Sequence, residues 1–242
     1  MNAFNRKNGV DVEAEALRAR PNRRTTPRLE LIPLTLDEFA LYLDDGAALA
    51  EKIRLAEPPC EPDAETFAAL SWLFDEALAL DAASLCWATV WLPILRNENR
   101  AVGFVSFKGP PRPLFDFLKT APCFNVDAEI AALGVAKKRF DGGEATDVEI
   151  GSSAAPTGVV EIAYGVDKAF RNLGLATETV DALLDWGRER EDVGAVFAET
   201  LTANLPSRRV LEKCGFRRCG ESNDALLWRV DVSRRTGERR VL

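Results

Sequence analysis

Three consecutive stretches, residues 159–166 (VVEIAYGV), 167–174 (DKAFRNLG) and 175–190 (LATETVDALLDWGRER), read as a strand, a loop and a helix, and their order decides the fold. The first is rich in β-branched residues and lacks helical apolar spacing. In the third, Val180, Leu183, Leu184 and Gly187 share a face with Ala176, so that helix has a core side. The junction is Arg171-Asn172-Leu173-Gly174-Leu175-Ala176. A helix N-terminus presents N–H groups with no intrahelical partner and the positive end of the dipole, which suits a phosphate or pyrophosphate. Gly174 has no Cβ to keep the backbone from the anion, Ala176 keeps the first turn small, and Arg171 offers a charged planar fork. A glycine here also serves as a plain turn residue, and Arg171 as a solvated loop charge. The three glycines of a dinucleotide fingerprint are absent, and so is the Gly-Lys-Ser/Thr ending of a nucleotide P-loop.

Downstream, residues 195–200 (AVFAET) read as a second strand, and Asn204 as the N-cap of a short helix over 205–214 that Gly215 stops. Further β structure follows from Phe216 towards Trp228 and Val230. Upstream, residues 28–33 (RLELIP) predict a first strand, and Thr35-Leu36-Asp37-Glu38 a capping box that starts a helix at Leu36. A second helical run reaches about Leu55, and Asp63 caps a third with an apolar side of Phe67, Leu70, Leu73, Phe74, Leu78 and Leu80. Residues 87–95 and 101–107 are β-rich and separated by the polar RNENR, which reads as a hairpin. Residues 109–158 are rich in Pro, Gly and Ala, with one plausible helix over 127–139. A connection of that length is an insertion with partial structure of its own or a disordered segment.

Composition excludes several chemistries. The chain of 242 residues contains no histidine, which removes Ser-His-Asp and Cys-His triads, zinc proteases of the HExxH kind and histidine phosphotransfer. The five cysteines are scattered, without metal-ligand spacing, and read as free thiols. A net charge of -7 argues against nucleic acid as the main partner. No apolar run is long enough to span a membrane, and the polar start is unlike a signal peptide, so a cytoplasmic protein is expected. Residues 1–27, with Arg6, Lys7, Arg18, Arg20, Arg23 and Arg24, are expected to form a polar disordered tail, and 233–242 a second tail.

The junction resembles the pyrophosphate loop of the GNAT superfamily, Arg/Gln-x-x-Gly-x-Gly/Ala, met here by Arg171, Gly174 and Ala176. Residues 204–216 (NLPSRRVLEKCGF) resemble the Asn-x-x-Ser-x-x-Val-Leu-Glu-Lys-x-Gly-Phe segment of the branch of ribosomal-protein N-terminal acetyltransferases. The resemblance covers residues 28–232 and implies an α/β GNAT fold. In it, helices flank a mixed, mostly antiparallel central sheet, with the insertion of about 110–157 between the third and fourth strands. It implies acetyl-CoA as co-substrate, no metal, and a primary amine as acceptor: a protein or peptide α-amino group, or a small molecule such as a polyamine or antibiotic. A catalytically silent acyl-CoA-binding regulatory domain is the alternative.

The resemblance further implies backbone contacts to the pantetheine arm from Gly165 and Val166. Phosphate contacts would come from Arg171, Asn172, Leu173, Gly174, Leu175, Ala176 and Thr177, and an amide contact from Asn204. Glu161 and Glu199 stand at strand positions where related enzymes carry a base or water-holding carboxylate, and Ser207 is placed to hydrogen-bond the thioester sulfur. The plain alternatives are a strand-surface role for either glutamate, an N-cap role for Asn204 and a first-turn role for Ser207. A tyrosine commonly serves as general acid in the superfamily, and position 211, where the peptide N-terminal branch carries one, is Leu211 here. The insertion departs from the short turn usual in the family and is expected to border the acceptor site.

Overall fold

The computed structural model describes residues 20–120, 158–222 and 224–232. These residues form two compact units. One takes in residues 20–110 and Ile162–Trp186; the other holds residues 111–120, 158–161 and those from Gly187 onward.

In the first unit the chain runs β1 (Arg24–Thr25), β2 (Leu29–Pro33), α1 (Leu36–Asp44), α2 (Gly46–Ile53), α3 (Ala64–Leu78), a 3₁₀ turn (Leu85–Trp87), β3 (Val90–Leu95), β4 (Arg100–Ala101) and β5 (Gly103–Phe107). It continues with the end of β6 (Gly158–Val166), a second 3₁₀ turn (Lys168–Phe170) and α5 (Leu175–Arg188). The strand order is β1-β2-β3-β5-β6, each neighbour antiparallel, with β4 pairing β3. Gly103, at φ 142°, is what allows β5 and β6 to meet closely: a Cβ there would lie 2.1 Å from the Gly165 carbonyl oxygen.

The capping box forms as its residues predict. The Glu38 amide donates to Thr35 Oγ1 at 3.4 Å and the Thr35 amide to Glu38 Oε2 at 3.0 Å. Glu38 is buried, and Arg20 neutralises it with Nη1 at 2.7 Å from Oε2 and Nη2 on Oε1. Burial pushes the Glu38 carboxyl up, but the Arg20 hydrogen bonds and charge and the Thr35 amide outweigh it, leaving the group below its ordinary range. Arg20 and the strand Arg24–Thr25 lie within the stretch expected as a tail. Order therefore begins earlier than the composition suggests, because these arginines have carboxylates to meet: Glu38 for Arg20 and Glu30 for Arg23.

Two further expectations are corrected. Trp87 ends a 3₁₀ turn over Leu85–Trp87 rather than starting the strand, which begins at Val90. In α3 the buried stripe is Leu70, Leu73 and Ala77, with Phe74 beside it, whereas Phe67 and Leu78 are exposed. At about 100° per residue those two side chains fall on the flank of the stripe, beyond the core-facing arc. Trp186, not read from the sequence as a core residue, is buried in an aromatic cluster with Trp87, Trp91 and Phe107, centroids 4.6 to 5.3 Å from its own. Its indole N–H donates to Asn22 Oδ1 at 3.2 Å.

The second unit holds α4 (Leu114–Thr120), the start of β6, β7 (Val193–Leu201), α6 (Leu205–Lys213), β8 (Arg217–Glu221) and β9 (Ala225–Asp231). The antiparallel order is β7-β9-β8, with a register shift between Arg218 and Gly220. Phe117, Leu118, Val159, Ala195, Phe197, Ala225 and Leu227 form its core. The Phe117 and Phe197 ring centroids are 4.4 Å apart. The expected helix at 127–139, most of the insertion, residues 1–19 of the first tail and the second tail lie outside the described residues. No helix among the described residues is long and apolar enough to cross a membrane.

Candidate functional site

The loop between β6 and α5 is built by backbone reversal. Asn172 and Gly174 take φ values of 62° and 78°, the left-handed region that costs a glycine nothing and that asparagine tolerates. Between them Leu173 is more than half exposed. A Cβ at Gly174 would meet one atom within 4 Å, Arg28 Nη2 at 3.5 Å, so the face above this glycine is open and cationic. The loop feeds directly into the 14-residue helix α5, whose first-turn amides point back along the helix axis. Its length gives a full macrodipole behind those amides.

Arg171 is exposed, and its Nε donates to the Val166 carbonyl at 3.1 Å. This bond closes the base of the loop and uses one arm of the guanidinium fork. Of the Val166 backbone, expected to contact the pantetheine arm, the carbonyl is engaged by the loop's own arginine. Gly165 pairs with Phe104 across β5, and a Cβ at position 165 would come within 2.6 Å of the Phe104 ring. Close packing therefore accounts for that glycine. Asp167 follows the strand; burial pushes its carboxyl up, while the Cys60 thiol and the Arg171 charge pull it down only in part. Buried Tyr42 is raised by desolvation and by the nearby Asp167 and Cys60, so it is a poor proton donor.

Arg28, which the sequence reading leaves out of the site, is bonded to the loop. Its Nη1 donates to the Leu173 carbonyl at 2.7 Å and its Nε to Glu178 Oε2 at 2.6 Å. The Arg28 amide and the Thr26 hydroxyl both donate to Glu178 Oε1, at 2.9 and 2.5 Å. Partial burial raises the Glu178 carboxyl, but Thr26 and the Arg28 amide and side chain more than offset it, holding the group below its ordinary range. One signal was available. Glu178 lies in the first turn of a helix whose N-terminus was expected to hold an anion, and a carboxylate there calls for a counter-cation.

The remaining candidates lie in the second unit. Asn204 caps α6, its Oδ1 accepting from the Ser207 amide at 3.1 Å, with Pro206 in the first turn and Gly215 at φ 85° past the end. Cap and first turn, the plain alternatives for Asn204 and Ser207, are both realised. Leu211 is fully buried and Phe216 nearly so, so these two positions of the 204–216 motif serve the core, whereas Leu205 is exposed. Glu161 is half-buried on β6; Glu199 is exposed on β7, opposite Leu227 of β9. The first unit thus gathers Gly165, Val166 and residues 171–177, and the second Glu161, Glu199, Asn204 and Ser207.

A model of the acetyltransferase (GNAT) domain matches residues 28–217. The uncharacterized N-acetyltransferase YjdG of Bacillus subtilis is 36% identical over 59 residues, which are 24% of this chain and 35% of that protein. The matched segment thus spans about a third of that curated relative. Among solved structures, a GNAT-family acetyltransferase from Bacillus anthracis is 18% identical with a TM-score of 0.44, over 87% of this chain and 98% of its own. A ribosomal-protein-S5-alanine acetyltransferase from Vibrio fischeri is 12% identical with a TM-score of 0.45, over 87% and 97%.

Proposed function

Because the chain belongs to the GNAT acetyltransferase family and has its fold, we propose that it transfers an acetyl group from acetyl-CoA to a primary amine. The observation that carries this reading is the loop at Gly174: a left-handed glycine with an open face, a guanidinium beside it and a 14-residue helix behind it. That arrangement fits a pyrophosphate, with Arg171, Asn172, Leu173, Gly174, Leu175, Ala176 and Thr177 supplying the cradle. Gly165 and Val166 would border the pantetheine arm, and Asn204 would donate its side-chain amide.

In the reaction proposed, the neutral amine nitrogen attacks the thioester carbonyl carbon. A C–N bond forms, the C–S bond breaks and the acetyl group passes to the amine. The proton lost by nitrogen passes to Glu161 or Glu199, directly or through water. The coenzyme leaves as a thiolate hydrogen-bonded by Ser207. With a thiol pKa of about 8.5, release needs no strong acid, which suits a site where Leu211 replaces the expected tyrosine.

A peptide or protein α-amino group is the acceptor we favour, on the resemblance of residues 204–216 and on proton energetics. An α-amino group has a pKa of about 7.7 to 8 and is partly neutral near pH 7.5, whereas a lysine side chain near 10.4 must give up about 4 kcal/mol. The net charge of -7 suits cationic acceptors. We place the protein in the cytoplasm, where its thiols stay reduced. The test is one competition assay with acetyl-CoA, offering free-amine peptides beside N-terminally blocked lysine peptides and polyamines. Faster labelling of the free α-amines is expected; faster labelling of the blocked lysine peptides or the polyamines overturns the preference.

A further inference from the structure

We propose that Arg28 and Glu178 form a clasp that sets the conformation of the phosphate loop, with Arg28 as its positioning residue and its remaining Nη2 as a donor to the bound phosphate. The inference rests on the acetyl-CoA reading above and extends it to two residues outside the loop motif.

The clasp ties two parts of the chain 150 residues apart in sequence. Arg28 stands just ahead of β2, and Glu178 in the first turn of α5. Through Nη1 the guanidinium holds the Leu173 carbonyl, the peptide between the two left-handed residues, Asn172 and Gly174. A loop with that reversal has several competing conformations in isolation, and a charged donor on the central carbonyl selects one. Glu178 orients the guanidinium in turn: Oε2 takes Nε, while Oε1 takes the Arg28 amide and the Thr26 hydroxyl. Both oxygens are therefore committed, and the side chain is largely buried.

Nη1 and Nε being used, Nη2 is the arm left over, and it lies 3.5 Å from the point a Gly174 Cβ would occupy. A phosphate oxygen seated against the bare Gly174 backbone therefore falls within reach of it. Charge argues the same way. Glu178 places a carboxylate in the first turn of the helix proposed to hold the anion, which by itself repels phosphate; Arg28 cancels that repulsion while adding a donor.

The test uses the full chain and the variants Arg28→Gln, Arg28→Lys and Glu178→Gln with the double variant Arg28→Gln/Glu178→Gln. Two donors are compared: acetyl-CoA and acetylpantetheine, which lacks the phosphates. Arg28→Gln is expected to raise KM for acetyl-CoA about tenfold to a hundredfold, the scale of a lost charge-assisted hydrogen bond, with kcat within about threefold. Its kcat/KM for acetylpantetheine should stay near wild type. Arg28→Lys keeps the charge without the fork and should fall between. The double variant should recover part of the acetyl-CoA affinity, because the uncompensated Glu178 charge is gone. Equal losses on both donors, or a wild-type KM in Arg28→Gln, overturn the proposal.

Hydrogen exchange over residues 171–180 in the absence of donor supplies the second readout. Faster exchange in Arg28→Gln is expected, and unchanged exchange refutes the clasp. That measurement stands even if wild-type protein binds no CoA, an outcome that would refute the acetyl-CoA reading and, with it, only the phosphate-donor half of the proposal.

Discussion

Replacing Gly174 by glutamate places a carboxylate where the proposed pyrophosphate sits, and the structure allows the damage to folding and to binding to be separated. A Cβ at this position meets only Arg28 Nη2, at 3.5 Å, so the substitution fits sterically. Its folding cost is the left-handed backbone at φ 78°, about 1 to 2 kcal/mol for a residue with a Cβ. For a domain of this size that corresponds to roughly 2 to 8 °C in Tm. Binding suffers more. A carboxylate about 4 Å from a phosphate charge, at an effective dielectric near 20, costs about 4 kcal/mol, close to a thousandfold in Kd. The new carboxylate also competes with phosphate for Arg28. Isothermal titration of CoA into wild type, Gly174→Ala and Gly174→Glu, each checked by thermal melting, reads both quantities. Gly174→Ala should carry the folding cost with a modest loss of affinity, and Gly174→Glu should abolish measurable binding. A folded Gly174→Glu protein with wild-type Kd would refute the placement of the phosphates.

Either Glu161→Gln or Glu199→Gln is expected to lower acetyl transfer by roughly a hundredfold or more, the usual scale for loss of a general base, while the other stays near wild type. Wild-type rates in both across pH would assign proton removal to solvent. Asn204→Ala should destabilise the protein by about 1 kcal/mol through loss of the α6 cap. Asn204→Asp keeps the capping oxygen but not the amide, so a raised KM for acetyl-CoA in this variant, whose cap is intact, supports the donor contact, and an unchanged KM argues for a cap only. Glu38 and Glu178 are both held below their ordinary range, so their contribution to stability is fully present above the unfolded value of 4.5 and is lost as pH falls through the lowered folded values. The acid limb of a Tm-versus-pH curve should therefore flatten in Glu178→Gln; an unchanged slope would contradict the assignment.

Elements whose signal is local were readable from the sequence. The Thr35 to Glu38 box, the Asn204 cap and the Gly215 stop each depend on residues within one turn of the helix end, and all three form. Gly174 between β6 and α5 is legible in the sequence as a residue without a Cβ, whereas its left-handed φ of 78° and the Arg28 bond to the Leu173 carbonyl belong to the structure. What escaped depends on partners distant in the chain. Arg20 and Arg23 look like charges of a solvated tail, and Arg28 like the polar start of a strand, until Glu38, Glu30 and Glu178 come alongside. Trp186 sits at a helical position that periodicity alone leaves ambiguous, and only the ring cluster from β3, β5 and the first 3₁₀ turn explains its burial. In α3, Phe67 and Leu78 belong to the apolar side by residue type, yet they lie outside the buried arc of Leu70, Leu73 and Ala77 and stay exposed.

Acetyl transfer is tested most directly by release of free thiol from acetyl-CoA by the purified full chain, with and without a free-amine peptide, alongside mass detection of the acetylated peptide. The prediction is saturable thiol release that requires the peptide and matches acetylated product one for one. No CoA binding, or CoA binding without amine-dependent thiol release across peptide, lysine and polyamine acceptors, would contradict it.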